Sequence, residues 1–270
     1  MTEIAPVPKW DHSTEDAFFQ YYKDASTTEH TRRRLTAYRD IVVRFHPHAF
    51  GGAPVDVGDI GCGAGTQSFI WASLGHRTHG VDISAQLVAL ARERAAASVD
   101  GHLTRFEVGS ATKLPWPAAS VDVALAIELL EHVAEWESCL DECVRVLRPN
   151  GVLFLTTTNV LCPKQQEFDL PLYSWYPGIV KRYYERLART TRPELATFAT
   201  YPAVNWFTPY GLRRELEQRG CKTLDRFQVI DHARKTRLKG MAMRVIQTNR
   251  VVRFAAHLVT PATWVLAVKE

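Results

Sequence analysis

Three glycines and one carboxylate lie close together at the end of a short apolar run. Asp59, Gly61, Gly63 and Gly65 fall within the stretch VDVGDIGCGAGT, which occupies positions 55–66. Glycine lets a backbone adopt positive φ and approach a ligand with no side chain in between. A helix that begins right after such a turn presents free N–H groups and about half a positive charge. The stretch therefore predicts a strand, a tight turn and a helix start that form a nucleotide-type pocket.

The glycine spacing departs from the dinucleotide fingerprint GxGxxG. Gly61 and Gly63 fit the first two positions, but the third falls on Thr66 and the extra glycine is Gly65. Asp59 stands two residues before the first glycine, where its negative charge repels a pyrophosphate and suits a cationic ligand. A nicotinamide dehydrogenase, which uses the same type of sheet, is therefore disfavoured.

The same stretch resembles the first motif of class I S-adenosylmethionine-dependent methyltransferases, [D/E]xGxGxG. The resemblance implies that the turn wraps the amino-acid end and the ribose of S-adenosylmethionine (SAM). These groups carry an ammonium and a sulfonium and no phosphate, which agrees with the carboxylate. The cofactor-binding residues that it implies here are Asp59, Gly61, Cys62, Gly63 and Gly65.

Further cofactor candidates follow at the ends of the next two predicted strands. Asp82 ends an apolar run about 20 residues beyond the turn, where a Rossmann-like pocket holds a ribose diol. Alternatively, Asp82 caps the helix that begins at Ala85. The resemblance adds Ile83, Ser110 and Ala111, and the family usually has an aspartate at the position of Ser110, where it accepts from the adenine amino group. A hydroxyl accepts the same bond without a charge.

A third group of candidates follows the apolar run 121–127, which is typical of a buried parallel strand. The next residues, ELLEHV, resemble the family's fourth motif, ExxEH. Residues at the carboxyl end of a central strand project into the ligand crevice. Glu128 is therefore a further cofactor-binding candidate and His132 the candidate general base. The alternative is that His132 only holds the loop or the following helix.

The order of these signals predicts an α/β fold. By resemblance, this is a doubly wound, mostly parallel, seven-stranded sheet with the last strand antiparallel. We expect a helical extension over residues 1–50 and a SAM-binding domain over residues 51–270. The last two strands are predicted at Leu224–Ile230 and Thr263–Lys269, as the antiparallel pair that closes the sheet.

Aromatic residues mark two segments that are expected to close on the acceptor. In the extension, they form a helix face that either packs on the core or covers the cofactor. In an insertion over residues 160–206, they alternate with basic residues, as in a substrate lid or a purely structural cap. The candidate substrate-binding residues, including one at the end of the preceding strand, are Tyr21, Tyr22, Asn159, Tyr173 and Trp175.

The composition is typical of a soluble globular protein, with 46% hydrophobic residues and a mean hydropathy of −0.17. The first nine residues have no signal pattern, and no apolar run approaches the roughly 20 residues of a membrane span. We therefore expect a cytoplasmic protein, with peripheral membrane contact left open. The 5 cysteines form no CxxC pair, so we expect reduced core thiols and no metal.

The net charge of +4 is unevenly spread along the chain. Residues 1–158 carry 14 Lys and Arg against 20 Asp and Glu, whereas residues 231–270 carry 8 against 2. A second insertion, residues 231–262, contains a predicted amphipathic helix from Met241 to Val259. The residues on its basic side are Arg250, Arg253 and His257. Such a helix either lies on an anionic bilayer, through residues 231–259, or packs on the domain. Nucleic-acid binding is disfavoured because no recognisable module accompanies the charge.

The resemblance implies methyl transfer from SAM to a small or lipid-like acceptor, most readily a hydroxyl, with S-adenosylhomocysteine as the product. N- and C-methylation share the scaffold and remain alternatives. An aminopropyltransferase uses a similar sheet, but the sequence shows no carboxylate-rich site for a polyamine. A non-catalytic membrane-surface or interaction module with a vestigial pocket is the alternative from another class.

Overall fold

Seven strands form one sheet in the part of the chain that the structure describes. This computed structural model describes residues 16–46, 52–165, 167–195, 203–231 and 237–270. The strands are β1 (Asp56–Ile60), β2 (Arg77–Asp82), β3 (Thr104–Val108), β4 (Val121–Ile127), β5 (Leu147–Thr158), β6 (Cys221–Asp225) and β7 (Ala262–Lys269). Their order across the sheet is β3-β2-β1-β4-β5-β7-β6.

The strand directions confirm the predicted fold class. β1 pairs in parallel with β2 and β4, and β3 and β5 continue the parallel arrangement on the two sides. β7 lies antiparallel to both β5 and β6. The strand order reverses between β1 and β4, and ligands of open α/β sheets bind outside the carboxyl ends of the strands at such a point.

Helices cover both faces of the sheet. They are α1 (Asp16–Thr27), α2 (Glu29–Phe45), α3 (Thr66–Ala72), α4 (Ala85–Ala96), α5 (Trp136–Val146), α6 (Gly178–Thr190), α7 (Pro209–Gln218), α8 (Arg226–Val229), α9 (Arg237–Thr248) and α10 (Arg250–Leu258). α5 and α7 pack on one face of the sheet, and α2 and α3 pack on the other. The two faces therefore have separate hydrophobic cores.

β5 shows why the sheet is covered on both faces. Leu153 and Leu155 belong to the core under α5 and α7, whereas Val152 and Phe154 belong to the core under α2 and α3. All four side chains are fully buried. Successive side chains of a strand point to opposite faces, so an apolar run without alternation requires helices on both sides.

The predicted strand Leu224–Ile230 is correct only for its first two residues. β6 ends at Asp225, and the chain turns into α8 at once. Asp225 Oδ1 accepts from the backbone N–H groups of Phe227 (2.9 Å) and Gln228 (3.1 Å), and this cap favours a helix over a continued strand. The apolar residues of this segment fit either structure, so the periodicity alone did not distinguish them.

The predicted single helix from Met241 to Val259 is two helices. α9 ends at Thr248, and Asn249 caps α10 by accepting from the N–H groups of Val251 (2.9 Å) and Val252 (3.1 Å). Asparagine at an N-cap begins a new helix because its side chain satisfies free N–H groups. The break changes which side chains of this segment face solvent.

Candidate cofactor site

The glycine turn lies at the carboxyl end of β1 and is tied to the neighbouring strand. Gly61, Gly63 and Gly65 have φ values of 75°, 51° and 80°, in the left-handed region that favours glycine. The backbone N–H groups of Gly61 and Cys62 both donate to Val81 O, at 2.8 and 3.0 Å. The turn is therefore held in one conformation by the end of β2.

The three glycines differ in what surrounds them. A Cβ on Gly61 would lie 2.9 Å from Leu129 Cδ1, and one on Gly65 would lie 2.7 Å from Phe106 Cζ. Packing therefore requires glycine at both positions. A Cβ on Gly63 would meet no atom within 4 Å. Gly63 faces open space at the carboxyl edge of the sheet, as a backbone segment that a ligand approaches closely must do.

Asp82 holds this open segment of the turn in place. Its Oδ2 accepts from Gly63 N (2.8 Å), and its Oδ1 accepts from Ser84 N (2.9 Å). The N-cap of α4 is Ser84, whose hydroxyl accepts from Leu87 N (3.3 Å). The alternative in which Asp82 itself caps that helix is therefore wrong. Ile83, the next residue, is 47% exposed.

Asp59 lies beneath the turn. It is 3% exposed, and its Oδ2 accepts from Ser68 Oγ at 2.6 Å. Burial raises the pKa of this carboxyl to about 6, and the nearby carboxylate of Asp82 acts in the same direction. Asp59 thus braces α3 against β1. Because α3 has only 7 residues, the support for an anchored ligand comes from the turn and Asp82 rather than from a long helix dipole.

Asp59→Asn should raise the free energy of unfolding at pH 8, by up to about 3 kcal/mol for a shift from the ordinary pKa of about 3.9 to about 6. A raised carboxyl pKa means that the folded state holds a proton more readily than the unfolded state. The destabilisation of the wild type by the Asp59 charge is therefore absent below about pH 4 and complete above about pH 6. Urea unfolding at pH 4.5 and 8 measures it. An equal effect of the substitution at both pH values would contradict the prediction.

Cys62 contributes only its backbone to the crevice. Its side chain is buried in a small cluster with Val88, Ala91 and Phe106, and burial raises the pKa of its thiol well above the ordinary value. All 5 cysteines are buried free thiols. The described residues contain no group of His, Cys, Asp and Glu that could hold a metal ion.

Ser110 and Ala111 follow β3 beside Asp82. Gly109 N donates to Asp82 O (3.0 Å), which brings the end of β3 to the end of β2. Ser110 Oγ lies 2.8 Å from Thr112 Oγ1 and accepts from Thr112 N (3.2 Å). Ala111 packs on the core under α5 and α7. The hydroxyl of Ser110 therefore lies near the expected adenine position, but it already takes part in a local turn.

Glu128 has a strained backbone and a partner that its motif did not indicate. Its φ is 52°, which is unfavourable for a residue with a side chain, and its N–H donates to Thr156 O (2.9 Å). Its Oε1 accepts from Arg34 Nη1 of α2 at 2.6 Å. Glu128 therefore links the end of β4 to the N-terminal helices. Thr66, at the start of α3, makes a second link, because its Oγ1 donates to Ser26 O (2.9 Å).

His132 ends a short 3-10 turn after β4 and is half-buried. Burial lowers the pKa of its imidazole to about 4. The side chain is therefore neutral at pH 7. It is also a weak base, because general bases work best with a pKa near the operating pH.

Two further carboxyl groups, which sequence reasoning missed, lie near the end of β4. Glu131 is 2% exposed and its Oε2 accepts from Thr157 Oγ1 (2.8 Å). Burial, and next the charge of Glu167, raise its pKa well above the ordinary range. Burial, helped by the charge of Glu128, raises the pKa of Glu167 to about 7. Glu167 belongs to the irregular insertion, where no motif could mark it.

Two of the predicted substrate contacts are buried, and this corrects their assignment. Asn159 is fully buried: its Nδ2 donates to His257 O (2.9 Å) and Thr260 O (2.7 Å), and its Oδ1 accepts from Leu161 N (3.1 Å). Its amide therefore fastens the chain after β5 to the end of α10. It does not face a substrate.

Tyr173 is also fully buried. Its ring stacks on Phe168 at a centroid distance of 4.1 Å, and its hydroxyl donates to Lys181 O (3.3 Å). Tyr173 is the centre of a small core within the insertion, which agrees with a structural role. Burial inside that core removes it from the substrate candidates.

The remaining aromatic residues, Trp175, Tyr22 and Tyr21, remain predictions as substrate contacts. Trp175 is 56% exposed and its Nε1 donates to Leu161 O (3.1 Å). Tyr22 is half-buried on α1, and the side chain of Tyr21 lies outside the described residues. A cavity of about 410 Å³ in the insertion, among Gln165, Phe168 and their neighbours, includes none of the predicted cofactor residues.

Known sequences match the central part of the chain. A family model described as "Methyltransferase domain" matches residues 58–155. Over 101 residues the chain is 35% identical to a ubiquinone biosynthesis O-methyltransferase of Sinorhizobium fredii, covering 37% of this chain and 40% of that protein. A probable S-adenosylmethionine-dependent methyltransferase of Mycolicibacterium smegmatis is 36% identical over 104 residues, covering 38% of each chain. The match thus spans about 40% of the length of these relatives.

Solved structures extend the fold comparison to most of the chain. A SAM-dependent methyltransferase from Aquifex aeolicus superposes with a TM-score of 0.55 at 14% identity, covering 93% of this chain and 98% of that one. A geranyl diphosphate methyltransferase solved with SAM gives 0.53 at 15% identity, covering 90% and 91%. The [4+2]-cyclase SpnF gives 0.52 at 18% identity, covering 88% and 81%. These likenesses show the class I methyltransferase fold, and the cyclase shows that the fold alone does not specify the reaction.

Proposed function

Because the chain carries a methyltransferase domain over residues 58–155, we propose that the protein transfers a methyl group from SAM to a small-molecule or lipid-like acceptor, most readily a hydroxyl. The observation that carries the proposal is the open space at Gly63. Its N–H is held by Asp82 where the strand order reverses between β1 and β4. A positive-φ backbone with free space beside a strand-end carboxylate fits a nucleoside cofactor, and the second carboxyl group, Asp59 beneath the turn, disfavours a phosphate there.

The residues that would hold SAM are those around the turn. Asp82 is assigned to the ribose hydroxyls, and the backbone of Gly61 and Gly63 to the amino-acid end. The exposed side chain of Ile83 and the hydroxyl of Ser110 are assigned to the adenine. When bound, SAM supplies a methyl group that its sulfonium has already activated. The protein then has to hold the acceptor in line, and ideal positioning contributes up to roughly 7–11 kcal/mol.

Two side chains are candidates for taking the acceptor's proton. His132 has the motif position in its favour, but its pKa of about 4 makes it a weak base at neutral pH. Glu167 has a pKa of about 7 and belongs to the insertion that follows the carboxyl end of β5. Since a general base is most effective near the operating pH, Glu167 is the better matched of the two. The N-terminal helices, joined to the site through Arg34 and Ser26, would close the pocket on the other side.

We expect His132→Ala to lower kcat by less than about tenfold, because general bases contribute typically 10²–10⁴-fold and this imidazole is poorly matched to neutral pH. In the wild type, kcat should rise between pH 6 and 8 as Glu167 loses its proton, and Glu167→Gln should remove that rise. Steady-state rates with saturating SAM across this pH range measure both effects. A loss of about 10²-fold or more in His132→Ala would return the role of base to His132.

The reaction itself is tested with SAM labelled with ¹³C in the methyl group. The full-length protein is incubated with phenols, amines and activated-carbon acceptors, each with and without an alkyl chain. The chemical shift of the transferred methyl carbon distinguishes O-, N- and C-methylation. Transfer to a hydroxyl is expected. Tight SAM binding without transfer to any acceptor would favour the non-catalytic alternative.

We further propose that residues 1–50 form an extension and residues 51–270 the SAM-binding domain. The acceptor is proposed to be lipid-like, and residues 231–259 to make peripheral membrane contact in an otherwise cytoplasmic protein. Among the described residues, no helix combines the length and the apolar character needed to cross a bilayer. The exposed side chains of α9 and α10 support the membrane contact.

A further inference from the structure

The two helices α9 and α10 expose apolar side chains. In α9 they are spaced by three and four residues and in α10 by three, which puts those of each helix on one side. A further one, Val259, is the C-cap residue of α10. The set, called here the outer face, comprises Leu238 (78% exposed), Met241 (61%), Val245 (50%), Val251 (77%), Phe254 (45%) and Val259 (78%). A helix on the surface of a globular protein normally turns its apolar side to the core. Here these side chains remain exposed, apart from the ring of Phe254, which also stacks on Tyr210. An exposed apolar side of a helix marks an interaction site.

The opposite side of α10 is polar and faces the domain. His257 is 1% exposed, and its Nε2 lies 3.6 Å from Asp225 Oδ2. Arg253 Nη1 lies 3.5 Å from the same oxygen. The side of the predicted helix that carries these two residues therefore faces the domain. These contacts hold α10 against the end of β6, and the exposed apolar side chains of α10 face solvent.

α9 is fastened in the same way. Gln247 Nε2 donates to the backbone oxygens of Phe227 (2.9 Å) and Ile230 (3.0 Å), which join α9 to α8. Both helices are therefore held by polar contacts underneath. The outer face is a fixed surface, since turning it inward would break these contacts.

The positive charge around the outer face favours an anionic partner. No Asp or Glu occurs between residues 232 and 269, a segment that contains 8 Lys and Arg. Lys239, Arg244 and Arg250 are exposed on the two helices. An isologous contact with a second copy would bring these like charges together. An anionic bilayer instead offers acyl chains to the apolar residues and phosphates to the cations.

The end of α10 also lies at the edge of the sheet that carries the cofactor site. β7 begins at Ala262, which pairs with Thr158 at the carboxyl end of β5. The amide of Asn159 binds His257 O and Thr260 O, so the end of α10 is fixed to that same edge. A bilayer under α10 would therefore lie beside the carboxyl edge of the sheet, where we assign the cofactor.

We propose that α9 and α10 dock on an anionic bilayer, with the outer face among the upper acyl chains and Lys239, Arg244 and Arg250 at the phosphates. The docking itself does not depend on the reaction. Only the delivery of a lipid-like acceptor rests on the proposed function. Vesicle binding and methyl transfer are separate readouts, so the failure of one leaves the other standing.

The test is flotation of the full-length protein with vesicles of phosphatidylcholine, with and without phosphatidylglycerol. The wild type should bind the mixed vesicles and lose binding as salt increases. Val251→Glu and Leu238→Glu should each lower the partition constant by about tenfold or more, because a charge replaces an inserted apolar side chain. Replacing Lys239, Arg244 and Arg250 together by Gln should remove the preference for phosphatidylglycerol.

Val99→Glu is the matched control, because Val99 is 91% exposed on the 3-10 turn before β3, outside the outer face. Val99→Glu should bind vesicles like the wild type. An equal calorimetric affinity for SAM in all these proteins shows that the substitutions leave the fold intact. Equal vesicle binding by Val251→Glu and Val99→Glu would overturn the proposal. So would a wild-type dimer, seen by sedimentation, that Val251→Glu dissociates.

Discussion

Gly63→Ala should weaken the binding of SAM by at least about tenfold, or 1.4 kcal/mol, while the protein remains folded. A Cβ at this position meets no protein atom within 4 Å, so the substitution causes no internal clash. It would instead occupy the open space that we assign to the amino-acid end of SAM. The φ of 51° adds a backbone cost of about 1–2 kcal/mol for a residue with a side chain.

Gly75→Ala is the matched control for this substitution. Gly75 has a φ of 85° and nothing within 4 Å of a built Cβ, but it lies between α3 and β2, at the opposite edge of the sheet. Both variants should therefore lose similar stability in thermal unfolding. Only Gly63→Ala should lose affinity for SAM in a calorimetric titration. Equal affinities in the two variants would mean that the cofactor does not approach Gly63.

Asp82→Ala should also weaken SAM binding by at least about tenfold. Hydrogen bonds to a charged acceptor contribute about 1.5–3 kcal/mol each, and the substitution removes those assigned to the ribose. It also releases Gly63 N and Ser84 N, which Asp82 holds at 2.8 and 2.9 Å. The turn would lose its fixed geometry as well as its ligand contact.

Asp82→Asn separates these two contributions. The amide keeps the size of the side chain and one acceptor oxygen, so one backbone contact survives, but the negative charge is lost. Its affinity should fall between those of the wild type and Asp82→Ala. Deoxygenated analogues of S-adenosylhomocysteine give a further check, because the 2′-deoxy form should lose affinity in the wild type but little in Asp82→Ala. An unchanged affinity in Asp82→Ala would reject the ribose assignment.

The strand ends around the cofactor site were predictable because their signals are local. Gly61 and Gly63 directly follow one apolar run, and Asp82 ends the next apolar run about 20 residues later. Parallel strands bring their carboxyl ends to the same edge of the sheet. The same logic located Glu128 at the end of β4. In each case the residue type and its position at the end of a strand indicate that the residue lies at the carboxyl edge of the sheet.

The contacts that sequence reasoning missed join residues that are far apart in the chain. Arg34 and Glu128 are 94 residues apart, and Asn159 is 98 residues from His257. Neither pair has a spacing that local periodicity can reveal. Asn159 was placed correctly at a strand end, but tertiary hydrogen bonds use all of its amide and bury it.

The orientation of α10 could not be predicted for the same reason. Its pattern divides apolar from basic residues, but the pattern does not say which side meets the domain. Asp225, a buried acidic residue 28 positions before Arg253 in the sequence, draws Arg253 and His257 inward. This buried carboxylate thus contributes to holding the basic side of the helix against the domain.

The most direct test of the cofactor assignment is calorimetric titration of the wild-type protein with SAM, S-adenosylhomocysteine and NADH under the same conditions. The glycine turn, with the carboxyl group of Asp59 beneath it, predicts saturable binding of SAM and S-adenosylhomocysteine and none of NADH. Saturable NADH binding without SAM binding would contradict the account and return the site to the dinucleotide class.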